Sequence, residues 1–291
     1  MGNIIETLFN GLSSGGTYAM IALGYTMVYG IAKMLNFAHG DIIMVGGYTV
    51  VQFFLAIGQP LVGLVAAVAV CMALGILIES VAYRPLRGAS PLAVLITAIG
   101  VSYMLQALAQ IIFGSNGMKA QFFSFGTVEL LGAKVEVSTI ITVVCSAVIM
   151  TVLSLFVKYA KTGRAMIAVS EDRGAAELMG ISVNKIIVIT FAIGSALAAV
   201  AGFFMLWKTG SVNPMTGALP GIKAFAAAVI GGIGSLPGAM LGGLLMGIVE
   251  AFSNSSDVIS PYTDAIVFAV LIIILLVRPS GLLGKKRREK V

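Results

Sequence analysis

Residues 224–252 read AFAAAVIGGIGSLPGAMLGGLLMGIVEAF, a run of 29 residues whose single charge is Glu250. A straight helix crosses the hydrocarbon core with about 20 mostly apolar residues, so this run exceeds one crossing. Helix-breaking residues interrupt its middle, at Gly231, Gly232, Gly234, Pro237 and Gly238. We predict two half-length helices joined at depth in the membrane, where surrounding protein satisfies the freed backbone groups. The alternative is one long, kinked span.

The whole chain is similarly apolar. Of its 291 residues, 59% are hydrophobic and 10% are charged, and its mean hydropathy is +1.05. Soluble globular domains carry about 25% charged residues, so most side chains here face lipid or other apolar helices. The apolar runs are continuous, which favours helices over the alternating strands of a β-barrel. The sequence therefore predicts an all-α polytopic membrane protein in which residues 1–291 form a single transmembrane domain.

Eight apolar segments approach or exceed the length of a crossing: Leu12–Ile31, Asp41–Ile57, Leu61–Tyr83, Pro91–Phe113, Thr139–Lys158, Ile186–Trp207, Ile222–Phe252 and Ile259–Val277. The N-terminus has no basic region, since Glu6 is the only charge before Lys33, so we expect the first segment to be retained as a span. With the broken segment counted as a re-entrant pair, we expect seven full crossings.

The placement of lysine and arginine predicts which segments face the cytoplasm. Basic residues concentrate in the tail 284–291, in residues 158–185 and at Arg84 and Arg87, so we place these segments and the C-terminus on the cytoplasmic side. Ser253–Asp264 has two acids and no lysine or arginine, so it should lie outside. Residues 208–221 then also lie outside, and the segment between must enter the membrane and return. The net charge of +6 thus reflects membrane orientation and predicts no nucleic-acid partner.

The loop 158–185 carries 8 of the 30 charged side chains and has the signals of a short helix. Ser170 is a good N-cap, followed by two acids in the first turn, and Gly180 is placed to end the helix in the left-handed conformation. We expect about nine helical residues with an apolar knob, formed by Ala175, Leu178 and Met179. So short a helix is marginal alone, since isolated helices need about 12–15 residues. It either packs on its own membrane domain or couples to a cytoplasmic subunit.

Polar side chains inside the apolar segments are the other candidates for function. Lys33, Asn36, His39 and Asp41 form either an ordinary cytoplasmic turn at a helix start or a broken element that lines a path across the membrane. Gln106 and Gln110 are one helical turn apart and bond between helices or line a polar seam. Glu79 is close to the Arg84/Arg87 turn, where we expect it to snorkel or to form a pair. The single histidine excludes a multi-histidine metal centre, and we expect no metal or cofactor in this chain.

Three stretches resemble one family. The first stretch, residues 163–181, contains GRA at 163–165, ED at 171–172, AA at 175–176 and GI at 180–181. The second, Leu35–Asp41, reads LNFAHGD, and the third, Ala227–Ala239, reads AAVIGGIGSLPGA. In this order they are similar to motifs of ABC importer permeases, in particular branched-chain amino-acid permeases of the LivH type. The resemblance runs from about Gly11 to Leu283. The chain departs from the general importer-permease loop at Gly174, where that loop has glutamate, and at Ile167, where relatives often have a basic residue.

The resemblance implies an ABC importer permease bundle in the bacterial cytoplasmic (inner) membrane. Its expected partners are two cytoplasmic ATPase subunits that bind ATP, a paralogous permease of the LivM type and an extracytoplasmic amino-acid-binding protein. A coupling helix within residues 170–180 would dock on the ATPases. The implied coupling residues are Gly163, Arg164, Glu171, Asp172, Ala175, Ala176, Leu178, Met179, Gly180 and Ile181.

The sequence determines the translocation path less closely than it determines the coupling helix. Half-helix N-termini can hold a substrate carboxylate, which makes the glycine-rich break a candidate. The candidate path residues are Asn36, His39, Asp41, Gly234, Ser235, Pro237 and Gly238. The expected substrates are leucine, isoleucine and valine, and similar permeases move urea or short amides. A stand-alone secondary transporter or channel remains the competing class, because it explains the broken helix but not the capped cytoplasmic one. A scaffold has no positive feature here.

Overall fold

The computed structural model describes residues 2–123, 125–130 and 132–284. The basic residues of the predicted cytoplasmic tail, 285–291, lie outside the described residues. The described helices are α1 (Gly2–Ala32), α2 (His39–Ile57), α3 (Pro60–Ile78), α4 (Pro91–Phe113), α5 (Val137–Tyr159), α6 (Lys161–Glu171), α7 (Arg173–Leu178), α8 (Val183–Thr209), α9 (Ala218–Gly231), α10 (Leu236–Asn254) and α11 (Thr263–Val277). Short strands are β1 (Met118–Lys119), β2 (Thr127–Leu130), β3 (Ala133–Glu136) and β4 (Ser211–Val212), and β1 pairs with β4 and β2 with β3, both antiparallel.

Within the described residues, seven helical segments are long and apolar enough to cross a membrane: His39–Ile57, Pro60–Leu86, Pro91–Phe113, Val137–Tyr159, Val183–Thr209, Leu236–Asn254 and Ser260–Val277. α1 is longer, at 31 residues, but glycine, tyrosine and hydroxyl side chains make it more polar than these seven. α3 runs on into a π-helical turn, Glu79–Tyr83. The predicted all-α polytopic class is confirmed.

The chain forms two compact units. Among the described residues, the first unit contains 2–26, 125–130, 132–154 and 223–284, and the second contains 27–123 and 155–222. The boundaries between the units fall within α1, α5 and α9, so these three helices contribute residues to both.

The second unit is built on α2, α3 and α8, which pack on one another. Small residues let their backbones approach closely. A Cβ atom at Gly46 would stand 2.9 Å from the Cα of Ala199 on α8, and one at Gly63 would stand 2.9 Å from the carbonyl oxygen of Val50 on α2. This core fixes the ends of the three helices, from which the polar turns described below extend.

The first unit contains the predicted helix break. α9 ends at Gly231 and α10 begins at Leu236, and between them Gly232 and Gly234 adopt φ angles of 101° and 94°. Non-glycine residues rarely adopt such angles. α9 has 14 residues, or about 21 Å at 1.5 Å per residue, which is shorter than the hydrocarbon core of about 30 Å. The break is therefore where the sequence places it.

The expectation of two half-length helices is wrong for α10. It has 19 residues and is one of the seven segments long enough to cross a membrane. α9 and α10 fold back on each other as an antiparallel hairpin. Gly238 lies against Gly231, and a Cβ atom at Gly242 would stand 3.0 Å from the carbonyl carbon of Ala227. The glycines on both helices allow this close approach.

The segment after α11 holds the end of this hairpin. The backbone N–H of Leu282 donates to the carbonyl of Ile230 at 2.8 Å, and that of Leu283 donates to the carbonyl of Gly231 at 3.0 Å. The last carbonyls of a helix have no partner within it, and here the C-terminal segment supplies the donors. The joint between α9 and α10 therefore lies beside residues 281–284, from which the basic tail departs.

Candidate functional site

The charged loop of the second unit folds as two helices. α6 is amphipathic, with Gly163, Met166 and Val169 buried at three-residue spacing, while Lys161 and Arg164 are exposed. A Cβ atom at Gly163 would stand 2.6 Å from the carbonyl oxygen of Val157 near the end of α5. Only glycine fits at that distance, so Gly163 sets the turn between α5 and α6.

The start of the second helix corrects the predicted cap. Asp172 has extended backbone angles (φ −151°, ψ 112°), and its carboxylate accepts the N–H of Ala175 at 3.0 Å as the N-cap of α7. Ser170 instead donates its hydroxyl to the carbonyl of Ile167 at 2.7 Å, and Glu171 is the last residue of α6. Aspartate caps as well as serine does, and the extended backbone at Asp172 separates the helices. α7 consequently has six residues instead of about nine.

The end of α7 is as predicted. Gly180 has a φ of +81°, and its N–H donates to the carbonyl of Glu177 at 2.9 Å, while the N–H of Ile181 donates to that of Ala176 at 3.0 Å. This pair of bonds is a Schellman motif, which satisfies the last carbonyls of a helix. Both ends of α7 are thus capped by its own sequence.

The apolar knob projects from this capped helix. Leu178 is 90% exposed and Met179 is 82% exposed, and Ala175 is exposed beside them, whereas Ala176 is buried. At the other end of α7, Arg173 donates to the carbonyl of Ile31 at 2.9 Å, in the last turn of α1. A cation at a helix C-terminus is favourable there. α7 is therefore held on one side and presents a bare apolar surface on the other.

The Arg84/Arg87 turn binds Glu79, as predicted. Glu79 is fully buried, and it pairs with Arg84 at 3.0 Å and with Arg87. Arg87 also donates to Asn184 near the start of α8. A buried carboxylate needs such partners, because an unpaired charge away from water is costly. These bonds fix the α3–α4 turn to the start of α8, immediately after the α7 loop.

Three members of the predicted polar cluster at the start of α2 are buried, whereas the fourth, Lys33, is exposed. Asn36, His39 and Asp41 are each at most 3% exposed. Asn36 accepts the hydroxyl of Tyr83 at 2.9 Å, and Asp41 accepts the amide of Gln106 at 2.8 Å. Gln106 thus forms a hydrogen bond between helices, whereas Gln110 is exposed. Asn36, His39 and Asp41 thus belong to a buried, hydrogen-bonded core, and their role in a translocation path stays a prediction.

The four candidate path residues at the helix break belong to the first unit. The hydroxyl of Ser235 accepts the N–H of Gly238 at 3.2 Å and caps α10, and Pro237 lies in its first turn. Gly238 is buried in the α9–α10 contact and Gly234 is exposed at the joint. These residues shape and cap the hairpin, and their contact with a substrate stays a prediction.

Lys223 in α9 was missed by the reading of the sequence. It is 7% exposed and pairs with Glu250 of α10 at 2.6 Å and with Asp264 of α11 at 2.7 Å, so it connects three helices of the first unit. The available signal was a lone lysine at the start of a long apolar run, with two acids at the far end of that run and just beyond it. Such residues mark function or a buried pair.

Comparison with known proteins agrees with the resemblance noted in the sequence. The family model for the permease component of branched-chain amino acid transport systems matches residues 7–275. The chain is 45% identical to the high-affinity branched-chain amino acid transport system permease protein BraD of Pseudomonas aeruginosa, over 99% of this chain and 98% of that protein. It is 42% identical to LivH of Escherichia coli K12, a permease protein of the same description, over 99% and 97%. A probable LivH of Methanocaldococcus jannaschii is 31% identical over 91% and 88%. The chain therefore belongs to the family of permease components of branched-chain amino acid transport systems.

Proposed function

We propose that this chain is the permease subunit of an ATP-driven importer that takes up leucine, isoleucine and valine across the bacterial cytoplasmic membrane. The substrate class follows the names of relatives that are 42–45% identical over nearly their whole length. An extracytoplasmic binding protein delivers the amino acid, and a paralogous permease of the LivM type completes the pore. The C-terminus faces the cytoplasm, as the basic residues 285–291 predict.

The geometry of α7 is the observation that carries this proposal. A six-residue helix is far below the length that is stable in isolation, about 12–15 residues, yet both of its ends are capped and Arg173 ties it to α1. Its exposed tip consists of two large apolar side chains, Leu178 and Met179. A short apolar helix tip on a charged loop is suited to a groove in a soluble partner. We assign that partner as the ATPase subunits.

ATP binding belongs to those partners. The sequence contains no GxxxxGK[ST] phosphate loop, the motif whose backbone N–H groups cradle nucleotide phosphates. Movement of the ATPases reaches the permease through α7, and the Arg173 bond to Ile31 carries it to the end of α1 within the second unit. The Glu79 and Arg87 contacts hold the neighbouring turn to α8. The loop can then move as one body with the helix ends to which it is bound.

Replacement of the apolar tip tests the proposal. We expect Leu178→Asp to abolish co-purification of the ATPase subunits from native membranes and to lower leucine uptake at least about tenfold, because a buried charge replaces an apolar anchor. Val258→Asp is the matched control, since Val258 is 81% exposed in the segment between α10 and α11, which we place outside.

Uptake and co-purification should be measured on variants that reach wild-type levels in the membrane. Undiminished leucine uptake and unchanged ATPase recovery in Leu178→Asp would refute the coupling role of α7. A transporter that moves urea or short amides but not leucine would keep the coupling role and refute the substrate assignment.

A further inference from the structure

The second unit contains a cavity of about 320 Å³ that the proposed transport function does not use. Its lining comes from three connecting segments: residues 29–35 at the end of α1, residues 86–95 around the α3–α4 turn, and Arg173 at the start of α7. The positive-inside rule places all three segments on the cytoplasmic side. The cavity therefore lies at the cytoplasmic border of the membrane.

The charged side chains that line the cavity all have the same sign. Lys33, Arg87 and Arg173 are lining residues, and no acid is among the described residues that form its walls. Glu79 pairs with Arg87 but lies outside the lining. The Nε atom of Arg87 is buried and has no hydrogen-bond acceptor among the described residues. Burial lowers the pKa of Arg173, and the charge of Arg87 lowers it further. An anion in the cavity would relieve that repulsion.

The remaining wall is apolar. The side chains that form it are those of Tyr29, Ala32, Met34, Leu35, Leu86, Val94 and Leu95. Apolar side chains contribute nothing to the binding of a free anion. A lipid, in contrast, carries its phosphate directly next to its acyl chains. Basic pockets between membrane helices on the cytoplasmic side are a recurrent type of acidic-lipid site.

We propose that this cavity binds the phosphate of an anionic phospholipid, with Lys33, Arg87 and Arg173 around the phosphate and the apolar wall against the first part of an acyl chain. The guanidinium of Arg173 has five N–H donors, so it can bind the lipid and the Ile31 carbonyl together. Because Arg173 is the first residue of α7, bound lipid fixes the base of that helix. The inference does not depend on the substrate or on the ATPase assignment.

The test uses the transporter purified in mild detergent with its native partners, titrated with short-chain phosphatidylglycerol, with phosphatidylcholine and with inorganic phosphate. We expect saturable binding of phosphatidylglycerol, seen by native mass spectrometry and as a rise in Tm, and neither effect with the other two. Lys33→Gln/Arg173→Gln should weaken the apparent Kd about tenfold or more, since hydrogen bonds to charged groups are strong. Lys161→Gln/Lys185→Gln removes the same charge from exposed positions of the loop and should leave the Kd unchanged.

Each other outcome contradicts the proposal. Equal effects of inorganic phosphate would make this a soluble-anion site, and equal effects of phosphatidylcholine would make the binding unspecific. Equal losses in the control variant would show diffuse attraction to the loop. Binding only to the permease freed of its ATPase subunits, and not to the complete transporter, would assign the cavity to that protein interface. Should the double variant not fold, Lys33→Gln alone must weaken binding, since Arg173 keeps its bond to α1 in that variant.

Discussion

At Lys223 the first unit holds an ammonium group between two carboxylates, in a helix that is otherwise apolar. Moving such a charge out of water has a large unfavourable free energy. The attraction of its partners offsets this free energy only while all of them are present. Glu250 is also poorly exposed, at 15% of its side chain, whereas Asp264 is 53% exposed. Loss of the lysine therefore affects mainly Glu250, which would lose its cationic partner at a poorly exposed position.

We expect Lys223→Met to destabilise the protein by about 2–3 kcal/mol, below the 3–5 kcal/mol of a fully buried pair because Asp264 remains solvated. For a chain of this size that corresponds to a fall in Tm of roughly 4–10 °C in detergent. Lys119→Met, at an exposed lysine, is the control. Adding Glu250→Gln to Lys223→Met should restore part of the loss, and a Tm equal to that of Lys119→Met would show that the pairing contributes nothing.

At the scale of the element, α7 shows how two equally good caps compete. Ser170 and Asp172 both carry side chains that cap helices, and sequence preference does not separate them. The backbone decides, because α6 continues through Ser170 and the extended angles occur at Asp172. Packing of Gly163, Met166 and Val169 holds α6 in place to that point. The helix that presents the apolar tip therefore depends on one carboxylate.

The two caps can be separated by the same substitution at each. Asp172→Ala should remove about 1 kcal/mol of α7 stability and weaken ATPase association about fivefold, because the tip is then presented by a frayed helix. Ser170→Ala should have no such effect, since the Ser170 hydroxyl bonds within α6. ATPase recovery on the purified permease and leucine-stimulated ATP hydrolysis provide the measurements. Equal losses in both variants, or a loss only in Ser170→Ala, would contradict the observed cap.

For the whole molecule, the sequence was sufficient for what depends on local composition. The apolar segments, the break between Gly231 and Leu236 and the left-handed Gly180 follow from hydropathy and from residues that end helices. The features that the sequence does not predict are contacts between residues that are far apart in the chain. Gln106 meets Asp41 from 65 residues away, and Leu282 and Leu283 bond the end of α9 from about 50 residues away. Such contacts are set by packing, so composition alone could not assign the two arms of the broken helix their unequal lengths.

Those C-terminal contacts also relate the membrane side of the hairpin joint to that of the C-terminal tail. The joint at residues 232–235 lies beside residues 281–284, and the basic tail follows directly, so a cytoplasmic tail implies a cytoplasmic joint. A joint at mid-depth, as the sequence suggested, would instead be shielded from both sides. In a background lacking Cys71 and Cys145, we expect Ile233→Cys to react with a membrane-impermeant thiol reagent in inside-out vesicles and not in right-side-out vesicles.

Two reference positions calibrate that labelling. Lys161→Cys, in the charged loop, should match Ile233→Cys, and Val258→Cys should show the opposite pattern, because both positions are exposed and lie in segments of opposite predicted side. Labelling of Ile233→Cys from the Val258 side would reverse the topology, and protection from both sides would restore the joint at depth. Labelling from the Lys161 side would mean that α9 and α10 return at the cytoplasmic border, which makes the glycine-rich joint part of the inner end of the permease.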